Sequence, residues 1–233
     1  MTDDLYLSRA RLRRNASVRA LVPLLLEKNG QDGQSRHTGH HLVWSLFADG
    51  PDRRRDFLWR EMEPGSFLIL SARWPEDQHA LFDIDEPKPF APALVAGDRL
   101  AFSLHANPVV RRRRGPGDRH AIKHDVVMDG LHTLPQAERA PRRLSAMRER
   151  GFAWLERQAD KAGFTVREDD VTVDGYQQHR IPRKGQKNAM SFSSLDFDGL
   201  LKVRDPALFL SGIARGFGAA KAYGCGLMLI RRA

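Results

Sequence analysis

Two successions of strand, helix, strand, strand, helix and strand, parted by a run of arginines and a Gly-Pro-Gly, predict an α+β protein. It reads as two ferredoxin-like (RRM-like) domains in tandem, each β-α-β-β-α-β. The 233 residues, of which 41% are hydrophobic, are enough to give each domain its own core. Residues 5–12 alternate apolar Leu5, Leu7, Ala10 and Leu12 with Ser8, Arg9 and Arg11, the period of a half-buried strand. Residues 28–33 mark a loop, and residues 40–48 set Val43, Trp44 and Phe47 at helical spacing. Residues 57–63 and 66–74 flank Pro64-Gly65 and read as a hairpin with Phe67, Ile69 and Ala72 inward, stopped by Pro75. A short helix is expected over 76–82. The stretch holding Pro87, Pro89 and Pro92 cannot be regular, and residues 98–105 return to strand alternation as the last strand of the first domain.

The four arginines 111–114 repel one another and Gly115-Pro116-Gly117 supports no regular element, which places the boundary between domains 1–114 and 115–233. Beyond it a strand is expected within 119–127, and 136–162 has the composition of a long helix with Leu144, Met147, Phe152, Trp154 and Leu155 as its apolar contacts. Residues 164–173 and 191–203 read as strands around a turn at 182–187. Asp205-Pro206 starts a helix through Ala214, with Asp at the N-cap and Pro in the first turn, and 223–231 closes as a strand.

Lys and Arg total 38 against 29 Asp and Glu, a formal charge of +9 that favours a polyanionic partner. Residues 115–233 carry 20 basic and 14 acidic groups, residues 1–114 only 18 and 15, so the second half is the stronger anion binder. The single cysteine, Cys225, excludes an internal disulfide framework and a cysteine-rich metal site, and points to reducing cytoplasm. No apolar run approaches the roughly 20 residues needed to cross a bilayer. The acidic start, Met1-Thr2-Asp3-Asp4, is unlike a secretory signal.

Two segments could carry chemistry. Residues 216–227 hold Gly216, Gly218, Gly224 and Gly226 with Lys221. Glycines permit positive φ and close backbone approach, so N–H groups can face a phosphate while lysine adds a point charge. The competing reading is that these glycines simply pack a helix end against a strand. His37-Thr38-Gly39-His40-His41 is the other segment. Its imidazoles can exchange protons near neutral pH, which beside an anion site suits phosphodiester chemistry. Metal ligation and plain surface exposure are the other readings of the same residues. The basic runs Arg53-Arg54-Arg55, 111–114, Arg142-Arg143 and 180–187 fit together as a track for a phosphate backbone. Trp44, Trp59, Trp74 and Trp154 fall on apolar positions and read as core.

Taken in order and spacing, six segments resemble the CRISPR-associated Cas6 endoribonucleases, most closely the Cas6e (CasE, Cse3) branch of type I-E systems. They are Leu5-Tyr6-Leu7-Ser8, His40 with Trp44-Ser45-Leu46-Phe47, Arg55-Asp56-Phe57-Leu58, residues 102–108 ending in Ala106-Asn107-Pro108, Ala153-Trp154-Leu155, and the glycine-rich block 216–227. That block and Ala-Asn-Pro are the most specific. The resemblance implies cleavage of CRISPR precursor RNA at the base of each repeat stem-loop, without metal or cofactor, by 2′-OH attack that leaves 5′-OH and 2′,3′-cyclic phosphate ends. It implies His40 as the essential histidine. The family often has a tyrosine three residues earlier, where this chain has His37, so the second proton-transfer group is His37 or Lys221. The hairpin of the second domain, about 175–194, is expected to grip the RNA stem through Arg180, Arg183, Lys184 and Lys187, largely by phosphate and shape. Gly216, Gly218, Gly224 and Gly226 are expected to line the backbone beside it. The implied partners are the repeat stem-loop, on which the enzyme stays after cutting, and the type I-E Cascade subunits. The rival expectation is a non-catalytic RNA-binding subunit of a CRISPR ribonucleoprotein complex.

Overall fold

The computed structural model describes residues 4–13, 32–47, 55–113, 121–181 and 189–233, with side chains in the first helix described from Gly39 onward. Contacts group them into two units. Unit 1 holds 1–93, 179–191 and 220–227; unit 2 holds 94–178, 192–219 and 228–233. The boundary expected between residues 114 and 115 lies outside the described residues.

In unit 1 the alternating first segment forms β1 (Tyr6–Leu12), followed by α1 (Asp32–Ser45), β2 (Phe57–Glu63), β3 (Ser66–Ser71), β4 (Phe82–Ile84) and the short β5 (Lys88–Pro89). The sheet is antiparallel in the order β2-β3-β1-β4, with β5 also pairing to β1. Its register stacks Ala10 against Phe67, and Trp59 against Ile69. Because side chains alternate across a sheet, these residues share one face with Phe57 and Phe82, and that face is buried with Leu42, Val43, Leu46 and Phe47. The hairpin at Pro64-Gly65 forms as expected, with Gly65 at φ 76 where only glycine is unstrained.

Three features of unit 1 differ from the sequence expectation. Helix α1 begins at Asp32, inside the segment read as a loop, and carries both His37 and His40. The helix expected over 76–82 does not form. The Asp77 carboxylate accepts from the N–H groups of Leu81 (3.1 Å) and Phe82 (2.7 Å), and Ala80 sits at φ 52, so the side chain satisfies backbone donors in a turn geometry that competes with helix. Trp74, read as core, is 57% exposed, edge-on to Tyr6 at 6.0 Å. Strand β3 has already ended, with Ser71 Oγ donating to the Arg73 carbonyl, so its alternation does not reach residue 74.

Unit 2 contains β6 (Arg99–Ala106), β7 (Val109–Arg113), β8 (Ala121–Asp125), α2 (Val126–His132), α3 (Gln136–Arg139) and α4 (Arg143–Lys161). Then come β9 (Phe164–Ile181), β10 (Met190–Val203), α5 (Pro206–Arg215) and β11 (Met228–Arg232), the hairpin end of β9 and β10 belonging to unit 1. The sheet order is β11-β6-β10-β9, so β6-α4-β9-β10-α5-β11 is the ferredoxin-like succession. Strand β6, expected to close the first domain, therefore opens the second. It pairs with β10 from Leu195↔Ala106 to Lys202↔Arg99 and with β11 on its other side.

The strand expected within 119–127 is β8, which pairs with β7 in a separate hairpin. The arginines read as a connector thus extend a strand. Arg112 is held by a two-point contact to Asp129 of α2 (3.0 and 2.6 Å), which offsets the like-charge repulsion. Pro141 divides the expected long helix into α3 and α4, and Leu144, at the start of α4, is 56% exposed rather than a core contact. Inside, Trp154 lies 5.4 Å from Phe197, and Phe164 meets Phe209 and Phe217 at 5.3 and 6.0 Å. Gly151 lets α4 sit close to β9, since a Cβ there would come within 2.6 Å of Val173. The closing strand is shorter than expected, because Lys221–Tyr223 form a 3-10 turn.

The N-cap of α5 is as expected: Asp205 accepts from Leu208 N at 3.0 Å with Pro206 in the first turn. Asp205→Ala should lower unfolding free energy by about 1 kcal/mol, read by urea denaturation. The Arg112 guanidinium holds the Asp129 carboxyl below its ordinary range, so this pair's contribution is present above that range and is lost as pH falls through the folded value. The stability difference between Arg112→Ala and the parent chain should accordingly shrink from neutral pH to about pH 3 in parallel denaturation curves.

Candidate active site

The site in unit 1 is built around Trp59. Its indole, 1% exposed in the middle of β2, donates from Nε1 to the Ala222 carbonyl at 3.2 Å. The two glycines that flank it leave it room. A Cβ on Gly39 of α1 would come within 2.8 Å of Trp59 Cη2, and one on Gly224 would come within 3.0 Å of Trp59 Cζ3. Glycine in a helix interior weakens the helix, and here the close approach of the indole explains its presence. One buried side chain thereby sets α1 and the 220–227 segment side by side.

On α1, the residue after Gly39 is His40, partly exposed, with three rings around its imidazole. Centroid separations are 5.3 Å to His41, 5.7 Å to Trp44 and 5.5 Å to Tyr223. Tyr223 ends the 3-10 turn that Lys221 begins, and left-handed residues bracket that turn, Ala220 at φ 50 and Gly224 at φ 78. The far end of α1 is tied down as well. Arg73 donates to the Phe47 carbonyl at 2.7 Å and pairs with Asp56 at 2.7 Å, placing a cation at the helix C-terminus.

Of the residues singled out from sequence, the structure brings His40 together with the turn bearing Lys221, through Tyr223 and Trp59. His37 lies on the same helix, its side chain outside those described. Arg180 is exposed near the end of β9, and Arg183, Lys184 and Lys187 lie outside the described residues. So do Arg53, Arg54 and Arg114; burial pushes the Arg55 guanidinium below its ordinary range. The glycines divide between units. Gly224 and Gly226 (φ 95) shape the turn in unit 1. In unit 2, Gly216 at φ 72 ends α5, and Gly218 at φ 81 meets the Asn107 carbonyl, 2.6 Å from where a Cβ would stand. Asn107 also receives the Ala219 N–H (3.0 Å) and donates to the Ser193 carbonyl (2.5 Å), so the Ala-Asn-Pro segment anchors the first half of the glycine block.

Tyr223 and Trp59 were not selected from sequence as site residues. Tyr223 sits within the glycine-rich block, but no periodicity tells which residue of a turn will face a helix 180 positions earlier. Trp59 reads correctly as core, with no sign that its N–H holds a loop. Among the described residues, no group of three or more His, Cys, Asp or Glu side chains is placed to hold a metal ion, and no helix is long and apolar enough to cross a membrane.

Two ferredoxin-like sheets, with a helix-borne histidine ring set against a lysine-bearing turn between left-handed residues, define an α+β protein whose first helix meets a glycine-rich turn from near the other end of the chain. The chain belongs to the CRISPR-associated protein family, whose model matches residues 5–232, and falls in its Cas6e (Cse3, CasE) branch. Similar curated proteins include the CRISPR-associated endoribonuclease Cse3 of Thermus thermophilus, 29% identical over 193 residues, covering 76% of this chain and 80% of the relative. The CRISPR system Cascade subunit CasE of Escherichia coli is 26% identical over 195 residues, covering 81% and 88%. Among solved structures, Thermus thermophilus Cse3 bound to an RNA representing a pre-cleavage complex aligns with a TM-score of 0.65 at 23% identity, covering 98% of this chain and 99% of that one. Cas6e from Escherichia coli K-12 aligns at 0.62 with 21% identity, covering 98% and 100%. At these identities the structural likeness establishes the fold.

Gly224→Ala should strain the turn and push on the indole, lowering stability by about 1–3 kcal/mol. Gly97→Ala, also at positive φ (99) but with nothing within 4 Å of its Cβ, supplies the backbone strain alone. A larger loss for Gly224→Ala in denaturation followed by tryptophan fluorescence checks that the contact with Trp59 matters.

Proposed function

We propose that this protein is a metal-independent endoribonuclease that cuts CRISPR precursor RNA at the base of the repeat stem-loop and stays on the product hairpin. The observation that carries the reading is the His40 imidazole held 5.5 Å from the ring that ends the Lys221 turn. The curated relatives named as a CRISPR endoribonuclease and as a Cascade subunit support it, as does the RNA-bound Cse3 structure of the same fold.

The nucleophile belongs to the substrate. The ribose 2′-oxygen attacks the adjacent phosphorus, the O2′–P bond forms as P–O5′ breaks, and the 2′ proton leaves as the 5′-oxygen gains one. The products are a 2′,3′-cyclic phosphate and a 5′-OH. The protein must align the phosphodiester in line, move protons and stabilise charge on the phosphorane. His40 serves as general base or acid, and the Lys221 ammonium with neighbouring backbone N–H groups faces the developing negative charge. The second proton-transfer group is His37 or Lys221. Arg180, Arg183, Lys184 and Lys187 hold the stem through its phosphates. A deep, narrow A-form major groove excludes most side-chain readout, so a basic hairpin suits recognition by shape. The product-bound enzyme then joins Cascade subunits in the cytoplasm.

His40→Ala should reduce cleavage of the cognate repeat RNA by at least about 100-fold while leaving affinity within about 3-fold, read by single-turnover cleavage and filter binding. A repeat with one 2′-deoxy at the scission site should bind and stay whole, and EDTA should leave the rate unchanged. Binding without cleavage by the parent chain on a fully ribose substrate would instead assign a non-catalytic RNA-binding subunit.

A further inference from the structure

A surface histidine on a helix turns about two side-chain bonds, yet proton transfer demands a ring fixed to within a fraction of an ångström. Two of the three rings around His40 cannot supply that reference. His41 and Trp44 belong to the same helix, one and four residues on, and move with it. Tyr223 alone comes from another element, at 5.5 Å with an interplanar angle of 42°. Its own place is tightly determined. Its N–H donates to the Ala220 carbonyl at 2.9 Å, the preceding carbonyl takes the Trp59 indole N–H, and the next residue, Gly224, lies against the indole face.

We infer that Tyr223 is a positioning residue whose ring holds the His40 imidazole in a fixed orientation toward the Lys221 turn. The contact acts through the aromatic face. Tilted ring packing of this kind adds specific geometry to ordinary burial, and it strengthens when the imidazole is protonated because the ring face is electron-rich. The inference rests on the reading of His40 as the proton-transfer residue and adds the element that aims it. It also accounts for the left-handed residues on both sides of the turn: Ala220 takes a conformation costly for a residue with a Cβ, and Gly224 one that glycine adopts freely, and together they present residue 223, as well as 221, to the helix.

The test uses the full chain with Tyr223→Phe, Tyr223→Leu and Tyr223→Ala, each checked for folding by circular dichroism. Single-turnover cleavage of repeat RNA, filter-binding affinity and the His40 Cε1–H resonance in a 13C-edited spectrum are measured for each. Tyr223→Phe should keep the cleavage rate within about 3-fold, while Tyr223→Leu and Tyr223→Ala should lose roughly 10- to 100-fold with affinity unchanged, the scale expected of a misplaced catalytic group. The His40 resonance should move in the Leu and Ala variants, as the ring current of residue 223 is removed, and stay in the Phe variant. Leu and Ala variants that cut at the parent rate overturn the inference. A Phe variant as slow as the Ala variant also overturns it, because the hydroxyl would then be the acting group. A parallel loss of rate and affinity overturns it by making Tyr223 an RNA contact. A His40→Ala chain that cuts normally removes the functional reading instead. The resonance then decides alone: unmoved, it overturns the positioning contact, and moved in Leu and Ala only, it supports it.

Discussion

The structure turns on the buried indole of Trp59. It occupies the space left by two glycines that are 185 positions apart in the chain, Gly39 and Gly224, and its N–H satisfies the Ala222 carbonyl. An indole removed from water contributes on the order of 2–3 kcal/mol through its apolar surface and needs a partner for its N–H. Here that partner is the loop beside His40. The residue that completes the core of the first sheet therefore also fixes the distance between the histidine helix and the lysine turn.

Unit 2 uses the same device with different chemistry. Asn107 receives a backbone N–H from Ala219 and donates to Ser193, while its carbonyl fills the space over Gly218. Nearby, the Asp125 carboxyl accepts from Met128 N, Ser193 Oγ and Tyr176 Oη. Burial raises its proton affinity, and the hydrogen bonds and the Arg143 cation oppose that shift. Arg143 also lies 5.3 Å over the Tyr176 ring, so β8, α2, α4, β9 and β10 meet at one polar node. Such nodes hold a fold in register because a buried polar group without a partner is costly. The glycine-rich block is thus pinned in unit 2 by an asparagine and in unit 1 by a tryptophan. Gly218 and Gly224 are dictated by those two contacts, which is the packing role read from the sequence beside the phosphate-binding one.

The basic character of the chain resolves differently along its length. Arg11 and Arg13 pair with Asp85 and Asp83, and Arg112 with Asp129, so these cations are partly neutralised by neighbours on the fold. The exposed pairs of Arg11 and Arg13 contribute little to stability, and none of the three changes the net charge. What survives as a long-range attraction for a polyanion is the excess of nine positive charges over the whole chain.

The sequence by itself determined what local chemistry dictates. Alternation located β1, the hairpin around Pro64-Gly65 with its second strand read three residues too long, and the places of the second sheet's strands though not the ends of β9 and β11, and Asp205-Pro206 located the start of α5. The order of motifs located the family. Tertiary structure decided which strand pairs with which. Strand β6 alternates as well for one sheet as for the other, and only its ladders with β10 and β11 assign it to the second. Carboxylate geometry around Asp77 decided against a helix at 76–82, and the Asp129 partner let three arginines run on as a strand. Tyr223 faces His40 for the same reason: hydrophobic period and turn chemistry act over a few residues, whereas the contact that aims the imidazole is set by an indole bridging segments distant along the chain.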